Sequence, residues 1–235
     1  MRLSPRALRE DVAAMWRADR ALLWPVAGMF LFLPSFAALL FLPTPGPAET
    51  LEEANRQLFA WIGDNIVWLA LEQLVMLAGG GVVYALLLDP ARPTLGEALG
   101  RAVSVLPQLA AATLLALLAM VTGLFFFVLP GAYVLGRTML VGAVVVRERA
   151  GPAAAIARAV ALTTGRGWLL FAIQAAVLLA GQLAVVLVSG LAPASAGGFA
   201  GALVDALSAG VAAATTLVML LVKVATYRRL ANSGT

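Results

Sequence analysis

The sequence predicts an all-α fold: a polytopic integral membrane helical bundle with six transmembrane helices and amphipathic cytoplasmic connector helices. Three observations predict it. The 235 residues are 62% hydrophobic and only 12% charged, whereas a soluble domain is nearer half apolar and a quarter charged. Mean hydropathy is +0.96, so the solvent for most of the surface is lipid. The apolar residues fall into runs near the ~20 needed to cross a ~30 Å hydrocarbon core, and the positive charge collects in alternate connections.

The first element is amphipathic. In residues 3–20, Ser4 suits an N-cap and Pro5 the first helical position. Leu8, Val12, Met15 and Trp16 recur at helical spacing. This predicts a juxtamembrane helix over residues 1–20, lying in the interface. Span 1 follows at Ala21–Leu42. Its apolar run is longer than a signal h-region and lacks a small-residue cleavage site, so a retained anchor is expected. A Pro/Gly turn and an acidic segment come next. Leu51, Ala54, Leu58, Trp61 and Ile62 predict a second interfacial helix. Spans 2 and 3 are expected at Ile66–Leu88 and Leu106–Leu129. Leu129-Pro130-Gly131 reads as a tight turn. Span 4 is expected at Ala132–Val146 and is short, span 5 at Trp168–Leu191, and span 6 at Phe199–Ala225. The membrane domain therefore covers 21–226, with a basic tail at 227–235.

Charge tests the count. Six spans place both termini on one side. The inside segments then hold fourteen positive residues, from Arg2 to Arg229, against Arg56 alone outside. This is a strong positive-inside bias and predicts cytoplasmic termini in a bacterial-type inner membrane. Omitting span 4 would export the arginines of 147–166 and spoil the pattern.

The connectors "ALGRAV" (98–103) and "AIARAV" (155–160) resemble each other. Both read as short amphipathic helices. They suggest a parallel internal repeat, 66–129 against 130–191, with coincidence in an Ala/Arg/Val-rich chain as the other reading.

Several function classes are excluded or disfavoured. The chain has no cysteine and no histidine, which removes Cys/His zinc sites, thiol nucleophiles, His-based triads and disulfides. "GGG" at 79–81 lies within an apolar span and is not a phosphate loop. The serines lack a nearby base. No enzyme activity, metal, cofactor or nucleic-acid partner is expected. The net charge of +4 reports topology.

Three groups of residues could still carry function. Glu72, Arg137 and Asp205 lie inside spans, where each charge costs roughly 2.5–3.5 kcal/mol unless it pairs, faces water or snorkels. Counted from the expected boundaries, all three fall in one layer, ~9 Å below the outer surface. They read either as a cluster facing a cavity, for a lipid headgroup or protons, or as packing ion pairs with Arg137 snorkelling. The second group is the inner belt of Arg147, Arg149, Arg158, Arg166, Arg228 and Arg229. It reads as anionic-phospholipid recognition or as ordinary topology determination. The third is the small-residue ridge Gly198, Ala202, Ala206, Gly210 and Ala214, suited to close helix packing or to a homo-oligomer or membrane-protein partner.

The segment "LPGAYVLGRTMLVGAVVVRERAGPAAAIARAVALTTGRGWLLF" resembles the signature of the glycerophosphoryl diester phosphodiesterase membrane-domain family. The resemblance rests on Leu129, Pro130, Gly131, Arg137, Arg158, Gly165 and Trp168, and covers residues 125–175 well. Ala159 stands where serine is common, and Glu148 is displaced from the usual acidic position. The chain leaves no room for the soluble phosphodiesterase barrel fused to some members. The resemblance implies a membrane domain rather than the esterase. The functional expectation is a non-catalytic structural or lipid-interacting protein of envelope homeostasis. The alternative is a small transporter or lipid-handling channel using Glu72, Arg137 and Asp205.

Overall fold

The structure is a computed structural model that describes residues 4–43, 48–190 and 198–232. The expected Pro/Gly turn over 44–47, Arg2, Leu191 at the expected end of span 5, and the last three residues of the tail lie outside the described residues. Among those described there is no strand. Six helical segments among the described residues are long and apolar enough to cross a membrane. The protein is an all-α, multi-pass membrane protein. Large apolar side chains such as Phe125, Leu118, Leu179 and Leu187 point outward, as suits a body solvated by lipid.

Helix α1 (Pro5–Val26) begins as expected, with the Ala7 N–H donating to Ser4 Oγ at 3.2 Å. It does not stop at Arg20. It runs through a π-helical stretch, Ala27–Phe32, into α2 (Leu33–Phe41), giving 37 continuous helical residues. The separate interfacial helix over 1–20 is therefore corrected to the first part of one long rod. Nothing between Arg20 and Ala21 breaks a helix, and one buried stripe of Leu8, Met15, Leu23 and Val26 crosses the expected boundary. The π stretch has a local cause. Pro34 has no N–H to give to the carbonyl four residues back, and the Leu33 N–H reaches Gly28 O, five residues away.

Helix α3 (Leu51–Leu88) is capped by Thr50 and unites the expected acidic interfacial helix with span 2 over 38 residues. Helix α4 (Leu95–Phe126) opens with a Thr94/Glu97 capping box. It absorbs the "ALGRAV" connector, because nothing between Val103 and Leu106 ends a helix and Pro107 is carried in its interior.

The fourth span departs most from expectation. The turn is at Phe127, in extended backbone, and Leu129-Pro130-Gly131 lies within the first turn of α5 (Val128–Thr138). A first-turn proline is tolerated because its missing N–H would have had no helical partner. Gly131 serves close approach instead: a β-carbon on Gly123 would stand 2.9 Å from Gly131 Cα. After Met139-Leu140 the span resumes as α6 (Val141–Glu148), so the whole, Val128–Glu148, is 21 residues in two pieces.

Helix α7 (Pro152–Leu162) is the separate "AIARAV" helix, with Ala155 and Ala159 fully buried. Gly165, at φ 74°, makes the turn into α8 (Gly167–Ser189). Helix α9 (Gly198–Ala231) closes the bundle. The two proposed repeat halves differ in build: one is a pair of unbroken helices, the other a broken span, a connector helix and a span.

One end of the bundle is defined by contacts. Arg229 donates to Asp11 Oδ1 at 2.9 Å and to Ala7 O at 3.2 Å. Arg228 donates to Leu87 O, and Arg101 pairs with Asp89. Glu148 accepts from Tyr227 Oη at 2.8 Å and from Arg158 Nε at 3.3 Å. These residues form the basic end.

Candidate functional site

The break in the fourth span raises an accounting problem. A helix leaves its last four carbonyls without helical partners, and inside a bilayer no bulk water satisfies them. For α5 these carbonyls belong to residues 135–138. Gln174 Nε2, from α8, donates to Leu135 O at 3.3 Å. Thr163 Oγ1, just after α7, lies 3.0 Å from Arg137 O and 2.8 Å from Ala159 O, so its single hydrogen is shared between them. Side chains from α8 and from the end of α7 thus reach two of the four carbonyls.

Arg137 works in the opposite direction. Its guanidinium donates to Val160 O at 2.8 Å, to Thr164 Oγ1 at 3.3 Å and to Tyr133 Oη at 3.0 Å. Val160 O is one of the last four carbonyls of α7, the negative end of that helix dipole. The cation also lies 5.6 Å from the centre of the Tyr133 ring. Arg137 is thereby a brace between α5 and α7.

Glycine lets the helices come this close. A β-carbon on Gly136 would overlap Gly167 O and stand 3.0 Å from Phe171 N. One on Gly167 would stand 3.0 Å from Arg137 Cδ. Helices α5 and α8 therefore cross glycine to glycine beside the brace. A groove at this crossing is lined by Leu129, Pro130, Tyr133, Gly165, Gly167 and Trp168. Four residues quoted for the family signature, Leu129, Pro130, Gly165 and Trp168, meet here, with Arg137 adjacent. Arg158 lies elsewhere, paired with Glu148.

The layer of Glu72, Arg137 and Asp205 is not assembled. Glu72 accepts from Ser35 Oγ at 3.5 Å, and Arg137 is taken up by α7. Among the described residues no ion pair joins the three. Residues on separate spans need not face one another: Glu72 turns to Ser35 on α2 and Arg137 to the carbonyl end of α7.

The arginine belt divides. Arg158, Arg228 and Arg229 bond to protein acceptors. Arg147, Arg149 and Arg166 have no such partner among the described residues. Arg166 precedes α8 at the α5 crossing. Arg147 and Arg149, at the end of α6, line a pocket of about 240 Å³ with Tyr84, Asp89 and Arg101. Arg149 holds φ 50°, a left-handed conformation that ends α6.

Sequence reasoning missed a second cavity. A cleft of about 360 Å³ lies between α3, α4, the broken span, α8 and α9. Its polar lining is Gln73, Thr113, Thr138, Gln174, Thr216 and Lys223. Tyr84 lines both this cleft and the arginine pocket. Its ring lies against Gly142, where a β-carbon would come within 2.8 Å of it. Lys223 is the only lysine in the chain, a signal that could have singled it out. Of the small-residue ridge, Gly210 and Ala214 line an open apolar groove with Trp16, Trp24 and Phe32, and do not form a tight helix seam.

No protein-family model, curated protein or solved structure matches the chain.

Proposed function

We propose that this chain is a non-catalytic, lipid-interacting protein of a bacterial-type inner membrane, with both termini cytoplasmic, that holds anionic phospholipid headgroups at its basic end. The observation that carries the reading is the pocket lined by Arg101, Arg147 and Arg149, in which Asp89 is the one carboxylate and is already paired with Arg101. Arginine forks suit phosphate oxygens, and each basic residue near an anionic surface contributes about 1 kcal/mol. The positive-inside bias of the sequence supports the orientation. The resemblance to the glycerophosphoryl diester phosphodiesterase membrane-domain family supports a membrane-domain role without esterase chemistry. A transporter built on Glu72, Arg137 and Asp205 has less support, since both terminal nitrogens of Arg137 are held by Tyr133, Val160 and Thr164.

The test is lipid analysis of the purified protein. Phosphatidylglycerol or cardiolipin is expected to be retained over phosphatidylethanolamine. The Arg147→Gln/Arg149→Gln double variant should lose that enrichment while keeping its thermal stability. Equal retention of zwitterionic and anionic lipid by the native chain would sink the reading.

A further inference from the structure

The polar side chains that line the intramembrane cleft fall into two sets. Thr138 Oγ1 donates to Val134 O at 2.9 Å, Thr216 Oγ1 to Ala212 O at 3.0 Å, and Gln174 Nε2 to Leu135 O at 3.3 Å. Gln73, Thr113 and Lys223 have no hydrogen-bond or ionic partner among the described residues. Thr113 is the telling member, because its neighbours in the cleft follow the usual helical habit of bonding to the carbonyl four residues back. All three lie on helices that span the bilayer. Polar groups left unsatisfied in hydrocarbon are costly and mark functional sites.

We propose that this cleft binds a single-chain amphiphile whose carboxylate pairs with the Lys223 ammonium and whose hydrocarbon tail lies along the cleft wall. Charge sets the headgroup. Lys223 is the one cation lining the cleft, and no carboxylate opposes it. A lone ammonium is a compact point charge that balances a monoanion; it lacks the arginine fork that suits phosphate. Gln73 and Thr113 add hydrogen-bonding groups. The walls set the tail. Met76, Leu77, Leu109, Leu117, Met120 and Leu220 supply a flexible apolar lining. Size sets the number of chains. About 360 Å³ stands at the low end of the ~300–1,000 Å³ of small-molecule sites, which suits one chain and not a two-chain phospholipid. Access is lateral. Gln73 and Thr113 are exposed on adjacent membrane-spanning helices, so the molecule enters from within the bilayer. The site is separate from the arginine pocket, with Tyr84 as the shared wall.

The test uses the full chain in phosphatidylcholine nanodiscs. The probe is palmitate carrying a mid-chain diazirine and a terminal alkyne; the control is the primary alcohol of the same chain. The palmitate probe should label peptides of α3, α4 or α9 that line the cleft, saturably and in competition with unlabelled palmitate. Lys223→Met should weaken acid labelling by about tenfold, the loss expected of one charge-assisted contact, and leave alcohol labelling unchanged. Ala116→Phe, which fills the cleft and keeps the lysine, should abolish specific labelling by both probes. Circular dichroism melting identifies a variant that fails to fold, and Ala116→Phe decides the matter if Lys223→Met does. Equal labelling by acid and alcohol, no effect of a folded Lys223→Met, native-like labelling of Ala116→Phe, or labelling confined outside the cleft would each overturn the proposal. Arg147→Gln/Arg149→Gln should leave palmitate labelling intact, which separates failure here from failure of the headgroup reading.

Discussion

The guanidinium of Arg137 donates to the carbonyl of Val160 at 2.8 Å, so the charge inside the fourth span closes the end of the connector helix that follows it. Hydrogen bonds to charged groups contribute about 1.5–3 kcal/mol. Arg137→Met is expected to lower unfolding stability in detergent by about 2–3 kcal/mol. Arg137→Lys should restore only part of this, since one ammonium cannot span Val160, Thr164 and Tyr133 together. Glu72→Gln should add independently, within ~0.5 kcal/mol. A larger coupling energy would mean that Glu72 and Arg137 interact after all.

The glycine crossing makes a steeper demand. Gly136→Ala drives a methyl group into the Gly167 carbonyl, and overpacking of this kind costs about 1–3 kcal/mol. Gly210→Ala, where no atom lies within 4 Å of the new β-carbon, should be neutral or stabilising by up to about 1 kcal/mol. Thermal unfolding of the two variants side by side checks the contrast. Equal losses would place the critical packing elsewhere.

Donors to the broken helix can be removed singly. Gln174→Leu leaves Leu135 O without its partner, and Thr163→Val removes the hydroxyl that Arg137 O shares with Ala159 O. Each should cost about 1–3 kcal/mol. Amide hydrogen exchange near 139–144 should quicken in both, ahead of exchange in α9. Unchanged exchange there would show that the break needs no external donor.

Contact between the two ends of the chain is testable by exchange as well. Asp11→Asn weakens the Arg229 fork onto α1. The pair is partly exposed, so the expected cost is only ~1 kcal/mol. Exchange over residues 5–15 should rise, and added salt should narrow the gap between native and variant. Protection that survives the substitution would assign the docking of α1 to its apolar stripe alone.

Orientation has its own experiment. Reporter tags after Leu42 and after Ala150 are expected on opposite sides of the membrane, with the tag after Ala150 on the cytoplasmic side. The same compartment for both would remove a crossing and overturn the six-span layout.

The crossings were legible because lipid imposes them. Apolar runs of spanning length and a one-sided arginine distribution carry that information locally, and each run became helical, the fourth in two pieces. The N-cap Ser4 was of the same local kind. Boundaries read less well. Polar residues at 5–20, 51–65 and 95–105 signal water, but helix continuation needs only the absence of a breaker, so each polar segment fused with its span.

The sequence by itself determined an all-α membrane body, its spans and the singularity of Arg137, because hydropathy, charge bias and helix chemistry act over neighbouring residues. Only the tertiary structure decided what the charges do. Arg137 turned from a cluster with Glu72 and Asp205 to the carbonyl of Val160, and Lys223 moved from the tally of topology charges to the wall of a cleft. The physical reason is that a carbonyl stranded by a helix break, or a polar group turned into a cavity, is defined by what other helices bring to it. Residues 23 apart in sequence, as in the Arg137–Val160 bond, meet only once the bundle has packed.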